Sequence, residues 1–140
     1  IFNTYGPNMA LNDGRVISNF IIQALKNQDL TIYGDGNQTR SFCYVDDLID
    51  GIVNIMDLET TFTGPINLGN DNELSIDKIA KLVIQLSGSK SKIKNLKPLS
   101  DDPIQRKPNL TLANHKINWK PKVDIETGIL KTIQYFKSQI

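Results

Sequence analysis

Hydrophobic residues along this chain recur with two periods. Within 15–27, apolar side chains fall at 16, 17, 20, 21, 24 and 25, a helical spacing with a wide buried face. The same period returns at Leu48, Ile49, Ile52, Val53 and Met56, then at Ile76, Ile79, Ala80, Val83 and Leu86, and last at Ile125, Ile129, Ile133 and Phe136. Polar residues mark where these helices start and stop. Asn12, Asp13 and Gly14 supply helix-start chemistry. Asp46 is predicted to cap the second helix, with Asp47 at the positive end of its dipole. Ser75 and Asp124 are predicted caps of the third and last, and Gly88 is placed to end the third in a left-handed conformation. A short helix capped by Thr111 is predicted to run through Ile117.

Between the helices lie short runs of β-forming residues at 1–5, 30–33, 40–45, 65–68 and 92–96. Gly6-Pro7-Asn8 breaks the first run, and Gly34-Asp35-Gly36-Asn37 is a turn after the second. Trp119-Lys120-Pro121 reads as a turn whose indole packs on the body. Strands and helices alternate, which is the pattern of an α/β fold. No repeat, low-complexity tract or linker divides the chain, so residues 1–140 form one unit. The predicted strands are few and look unpaired within the chain, and the sequence opens on Ile1-Phe2 inside an apolar run without Met. Both features lead to the expectation of a fragment of a longer protein whose main sheet lies elsewhere.

Composition narrows the function classes. The chain has 140 residues, 39% apolar and 22% charged, as in ordinary soluble domains. A net charge of +1 gives no general attraction to nucleic acid or anionic membrane, and neither is expected as a partner. Lys90, Lys92, Lys94 and Lys97 read as a solvated face. No apolar run approaches the roughly 20 residues that span a bilayer. The single cysteine, Cys43, has no internal partner, which fits a reducing compartment and a cytoplasmic protein. The single histidine, His115, has no Cys/His spacing around it, so no metal site is expected.

The chemistry that remains points to an anion. Arg15, Arg40 and Arg106 are the chain's only arginines, and each follows or flanks a turn. A guanidinium fork suits phosphate or carboxylate, while surface salt bridges are the plainer alternative for each. Gly34-x-Gly36 lacks the third glycine of a dinucleotide loop and reads as a turn. Asn3 and Asn67 each end an apolar run, where open parallel sheets bind ligands and where amides also cap turns. Asp46-Asp47 reads as helix capping rather than an acid/base pair. Phe42 and Tyr44 read as packing around Cys43. These residues describe a module that binds an anionic ligand and holds no complete active site.

Several stretches then match one family. Ile1-Phe2-Asn3-Thr4-Tyr5-Gly6-Pro7, the run from Asn12-Asp13-Gly14-Arg15 to Ile21, Leu30-Thr31-Ile32-Tyr33-Gly34-Asp35-Gly36 and Gln38-Thr39-Arg40-Ser41-Phe42-Cys43-Tyr44-Val45 resemble UDP-glucuronate decarboxylases, also called UDP-xylose synthases. So do Gly64-Pro65-Ile66-Asn67-Leu68-Gly69-Asn70 and Asp101-Asp102-Pro103 through Arg106-Lys107-Pro108. The resemblance covers nearly the whole chain. It implies the C-terminal part, a little under half, of an extended Rossmann-type dehydrogenase/reductase, mostly its substrate-binding subdomain with the last elements of the NAD-binding fold.

In that family tightly held NAD oxidises UDP-glucuronate at C4, the β-keto acid loses CO2, and the returned hydride gives UDP-xylose. The resemblance implies that Asn3 contacts the nucleotide-sugar. Arg15, Val16, Asn19 and Phe20 lie in the segment along the diphosphate and cofactor side. Thr31, Ile32 and Tyr33 flank the uracil, with Gln38 and Asn67 among the further substrate contacts. Arg40 and Arg106 approach the diphosphate and sugar, and Arg106 is the expected catalytic residue, a proton donor after decarboxylation. The parent is expected to be a homodimer. The glycine-rich NAD loop, the catalytic Tyr-x-x-x-Lys and the Ser/Thr-Glu pair are absent from these residues, and Asn8 stands where many relatives carry arginine. A dTDP-glucose 4,6-dehydratase or nucleotide-sugar epimerase of the same superfamily is the alternative enzyme, and a non-catalytic nucleotide-sugar-binding module is the alternative outside enzymes.

Overall fold

The computed structural model describes residues 1–59, 61–98 and 105–140. The expected Asp101-Asp102-Pro103 stretch and most of the loop before Arg106 lie outside the described residues. Among the described residues, strands β1 (Thr4–Tyr5), β2 (Leu30–Tyr33), β3 (Thr39–Ser41), β4 (Cys43–Tyr44), β5 (Glu73–Ser75), β6 (Ile93–Leu96) and β7 (Gln105–Arg106) are interspersed with five helices. These are α1 (Val16–Leu25), α2 (Val45–Met56), α3 (Ile76–Ser87), α4 (Thr111–Ile117) and α5 (Ile125–Lys137).

The three helices with the clearest apolar stripes build the main core. Ile17, Phe20, Ile21 and Ala24 of α1 meet Ile79, Ala80 and Val83 of α3 and Ile129, Ile133 and Phe136 of α5. Burying a large aliphatic or aromatic side chain stabilises a fold by about 1.5–3 kcal/mol, so this cluster dominates the local energetics. The expected caps of α3 and α5 form. Ser75 Oγ accepts from Lys78 N at 3.2 Å, and Asp124 Oδ1 accepts from Thr127 N at 2.9 Å. Gly88 ends α3 at φ 69°. Gly128 lets α5 approach β1: a Cβ there would collide with the Tyr5 hydroxyl and sit 2.8 Å from Tyr5 Cζ.

A second, smaller core holds Cys43, Leu48, Leu68, Leu110, Ala113 and Trp119. Trp119 is buried as expected, and its indole N–H donates to the Asp47 carbonyl at 2.9 Å.

Several boundaries differ from expectation. The cap position of α2 is Tyr44, not Asp46, which lies in the first turn of the helix. Leu110 rather than Thr111 holds the cap position of α4, and the Thr111 amide is satisfied by Asn109 Oδ1 at 2.9 Å. Helix α1 begins at Val16, with Arg15 at its cap position making no capping bond. Residues 65–68 form no strand, although Leu68 O accepts from Phe2 N. The run 40–45 divides into β3 and β4, which enter different sheets.

The strands are not unpaired. β1 and β4 run parallel with Tyr5 beside Tyr44, and β2 and β6 run parallel from Leu30 beside Ile93 to Tyr33 beside Leu96. The third sheet has the order β5-β3-β7, with β5 antiparallel and β7 parallel to β3. Their partners are 32 to 66 residues apart in sequence, a separation no local pattern announces.

Candidate functional site

The site begins with the turn between β2 and β3. Gly34 and Gly36 sit at φ 83° and 81°, a region that glycine occupies without strain. Asp35 fastens the turn by accepting from the Asn37 amide and side chain at 2.9 and 2.8 Å, which holds its carboxyl below the ordinary carboxylate range. Gln38 Nε2 donates to Tyr33 O at 2.7 Å across the turn. The turn docks on α3, whose first amides, Ile76 N and Asp77 N, donate to Gln38 O and Gly36 O. On the other side Gln23 of α1 pairs with Thr31 of β2 through both its amide atoms.

Between α1, β2 and β3 these ties leave a cleft of about 240 Å³. Eight of the eleven residues expected to bind substrate line it: Val16, Asn19 and Phe20 from α1, Thr31, Ile32 and Tyr33 from β2, and Gln38 and Arg40 from the turn and β3. Gly14 and Ile76 complete the lining, and neither stood among the expected contacts. The walls are apolar, with polar groups at the edges and one cation, as small-molecule sites tend to be. Arg40 is only 7% exposed, and its Nη1 donates to Thr39 O at 2.7 Å.

The other expected residues lie outside that lining. Arg15 stands at the rim beside Gly14, and its side chain is 64% exposed and paired with Asp13 at 3.2 Å. The salt-bridge alternative therefore describes Arg15 better than Arg40. Asn3 Nδ2 donates to Ser41 O at 3.1 Å, tying β1 to the end of β3. Asn67 is exposed and donates to Asn109 O at 3.3 Å. Arg106 is exposed on β7, directly opposite Arg40 in the parallel register. Paired residues in a parallel ladder project to the same face, so the two guanidiniums share a side of the sheet. A larger, more open groove of about 520 Å³ runs past Asp71, Gln105, Lys107 and Asn109. It lacks the apolar walls of the cleft.

Asp47, expected only to face the positive end of the α2 dipole, has a second role that sequence reasoning missed. Asp47 is 5% exposed, and its Oδ2 accepts from Lys122 N at 3.0 Å and Val123 N at 2.9 Å. Burial pushes the neighbouring Cys43 thiol up to about 12, with the Asp47 charge adding to the effect. Tyr5 and Tyr44 are raised for the same first reason, desolvation, and neither presents a poised acid or base. Among the described residues no group of three His, Cys, Asp or Glu side chains is placed to hold a metal ion, and no helix is long and apolar enough to cross a membrane.

Comparison with known proteins places this arrangement. Residues 1–69 match the NAD dependent epimerase/dehydratase family. The chain shares the Rossmann-type α/β fold of these proteins and corresponds to a C-terminal part of them. Its sequence is 49% identical over all 140 residues to UDP-glucuronic acid decarboxylase 1 of Xenopus tropicalis. It spans 33% of that relative's length. Among solved structures, UDP-glucuronic acid 4-epimerase from Bacillus cereus, in complex with UDP-glucuronic acid and NAD, superposes with a TM-score of 0.92 at 30% identity. That match covers 99% of this chain and 44% of the epimerase. UDP-glucose 4-epimerase from Thermotoga maritima, with UDP-glucose, gives 0.92 at 27% identity, over 99% of this chain and 44% of its own.

The Gly34-x-Gly36 turn does not fit the pyrophosphate of NAD. Gly34-x-Gly36 opens into β3 rather than a helix, so it offers no helix N-terminus to a pyrophosphate.

Proposed function

We propose that this chain is the nucleotide-sugar-binding part of an NAD-dependent UDP-glucuronate decarboxylase whose parent makes UDP-xylose and CO2. The observation that carries the reading is the convergence of eight expected contacts, on three separate elements, into one cleft with a buried arginine. The uracil lies between Val16, Phe20 and Ile32, with Asn19, Thr31 and Gln38 as polar partners at its edges; the α1 residues, expected along the diphosphate and cofactor side, are reassigned to the base because they share one cleft with β2. Arg40 meets the diphosphate, where a fixed guanidinium binds two oxygens at once. Arg106, on the same face and one strand over, holds the sugar carboxylate and supplies the proton to the carbon that CO2 leaves. The family's cofactor, when bound, supplies the oxidation and re-reduction of the sugar from outside these residues. Asn3, Arg15 and Asn67 are assigned to the outer reach of the substrate. The single buried cysteine supports a cytoplasmic parent, which we take to be a homodimer.

The solved epimerases favour a second reading, a 4-epimerase acting on the same UDP-uronate. Both predict a UDP-sugar in the cleft and differ in the fate of the carboxylate. The test is the full-length parent incubated with UDP-glucuronate labelled at the carboxyl carbon. Released label with UDP-xylose supports decarboxylation. Conversion to an epimer that keeps the label overturns it in favour of the second reading. No conversion, with micromolar or tighter UDP-sugar binding by the 140-residue chain alone, favours a non-catalytic module.

A further inference from the structure

Strand β7 is two residues long, and both are exposed. A strand this short has little hold on its neighbour. Yet it carries Arg106, which must stand at a fixed distance from Arg40 to act on one ligand with it. What fastens it lies on the opposite face of the sheet. Glu73 belongs to β5, on the far side of β3 from β7. Its carboxylate crosses β3. Oε1 accepts from Thr39 Oγ1 at 2.8 Å, and Gln105 Nε2 donates to Oε1 and Oε2 at 2.9 and 2.8 Å. Lys107 Nζ stands 3.9 Å away. One side chain therefore ties all three strands, and it holds Gln105, the residue before Arg106, by hydrogen bonds while Lys107, the residue after it, stands nearby as an exposed ion pair. The alternation of the ladder fits this division: Thr39, Glu73 and Gln105 share one face, while Arg40 and Arg106 share the other.

We propose that Glu73 is a positioning residue for Arg106: its carboxylate straps β7 to β3 from behind, so that the second arginine faces the ligand in register with the first. The proposal rests on the reading of the cleft as a nucleotide-sugar site. Glu73 does not line the cleft. Removing it leaves the cleft walls and Arg40 in place and leaves the short strand held only by its ladder to β3 and the 3.4 Å bond from Ser41 Oγ to Arg106 O.

The experiment is a double-mutant cycle in the full-length parent enzyme, read by two measurements. The first is tryptic cutting. The Lys107–Pro108 bond resists trypsin, so the Arg106–Lys107 bond reports how often β7 leaves the sheet. Glu73→Ala raises the rate of that cut about tenfold while cuts elsewhere keep their wild-type rates. The second is steady-state turnover. Glu73→Ala lowers kcat about tenfold with KM within about threefold, and in an Arg106→Ala background the same change lowers kcat less than about twofold. Gln105→Ala, which cuts the strap at its exposed end, gives the same pattern and serves if Glu73→Ala folds poorly. An unchanged cutting rate at Arg106, or a kcat loss of equal size with and without Arg106, overturns the proposal. If the wild-type parent turns over no UDP-sugar, the enzyme reading fails, and the cutting rates still decide whether the strap exists.

Discussion

Asp47 offers the sharpest test of how this fold closes on itself. Its Oδ2 accepts two backbone N–H groups from residues 75 and 76 positions away, and so fixes the return of the chain after Trp119. A hydrogen bond to a charged acceptor contributes about 1.5–3 kcal/mol. Val123 is half-buried and Lys122 exposed, so water recovers part of what Asp47→Ala removes, and the low end applies to each bond. The two bonds then sum to about 3 kcal/mol. The favourable placement of a carboxylate in the first turn of α2 adds about 0.5 kcal/mol. Asp47→Ala is expected to cost about 3–4 kcal/mol, a large share of the 5–15 kcal/mol that holds a typical domain. Trp119 is the chain's single tryptophan and lies 2% exposed, so its emission reports unfolding in urea. Its own hydrogen bond runs to the Asp47 carbonyl and survives the substitution, which keeps the native signal comparable. Asp46→Ala, in the same helical turn but exposed, is the control and is expected to cost about 0.5 kcal/mol. A loss under about 1 kcal/mol for Asp47→Ala refutes the hydrogen-bond account. Equal losses for the two aspartates assign the effect to the helix dipole instead.

Three further outcomes follow from the packing and the cleft. Gly128→Ala drives a methyl into Tyr5 and is expected to cost about 2–3 kcal/mol by urea unfolding. The Cys43 thiol, fully buried and raised to about 12, is expected to resist a disulfide reagent at pH 8 in the native state and to react at once in denaturant, because only the thiolate attacks. The sign of its linkage is fixed: the folded state holds the proton more tightly, so its contribution is complete below the unfolded value of 9.0 and fades as pH rises toward 12. The slope of stability against pH in that window is expected to be shallower in Cys43→Ala. In the full-length parent, Arg40→Ala is expected to weaken UDP binding about 10- to 100-fold by calorimetry, and Arg40→Lys by about tenfold, since a point charge cannot reproduce the fork.

The helices could be read in the sequence because their signals are local. Apolar residues at helical spacing, with Ser75, Asp124 and Gly88 at the ends, specify α3 and α5 within a few residues of each position. Of the eleven residues that the motif run offered as substrate contacts, eight line one cleft, an arrangement that no local pattern specifies. What local pattern could not supply was pairing. Glu73-Leu74-Ser75 has no strand signature of its own, and β5 exists because β3 offers it an edge. Asp47 reads identically whether it only feels the helix dipole or also accepts amides from the far end of the chain. Arg15 and Arg40 look alike beside their turns, yet one is a solvated ion pair and the other a buried wall, a difference that arises only when β3 is covered on both sides.

The central claim is that the cleft between α1, β2 and β3 holds the nucleotide. A crystal structure of the full-length parent with UDP bound tests it most directly. Uracil is expected between Phe20 and Ile32, with the phosphates within hydrogen-bond distance of Arg40. Nucleotide bound instead in the open groove beside Asp71 and Lys107, with the cleft vacant, would contradict it.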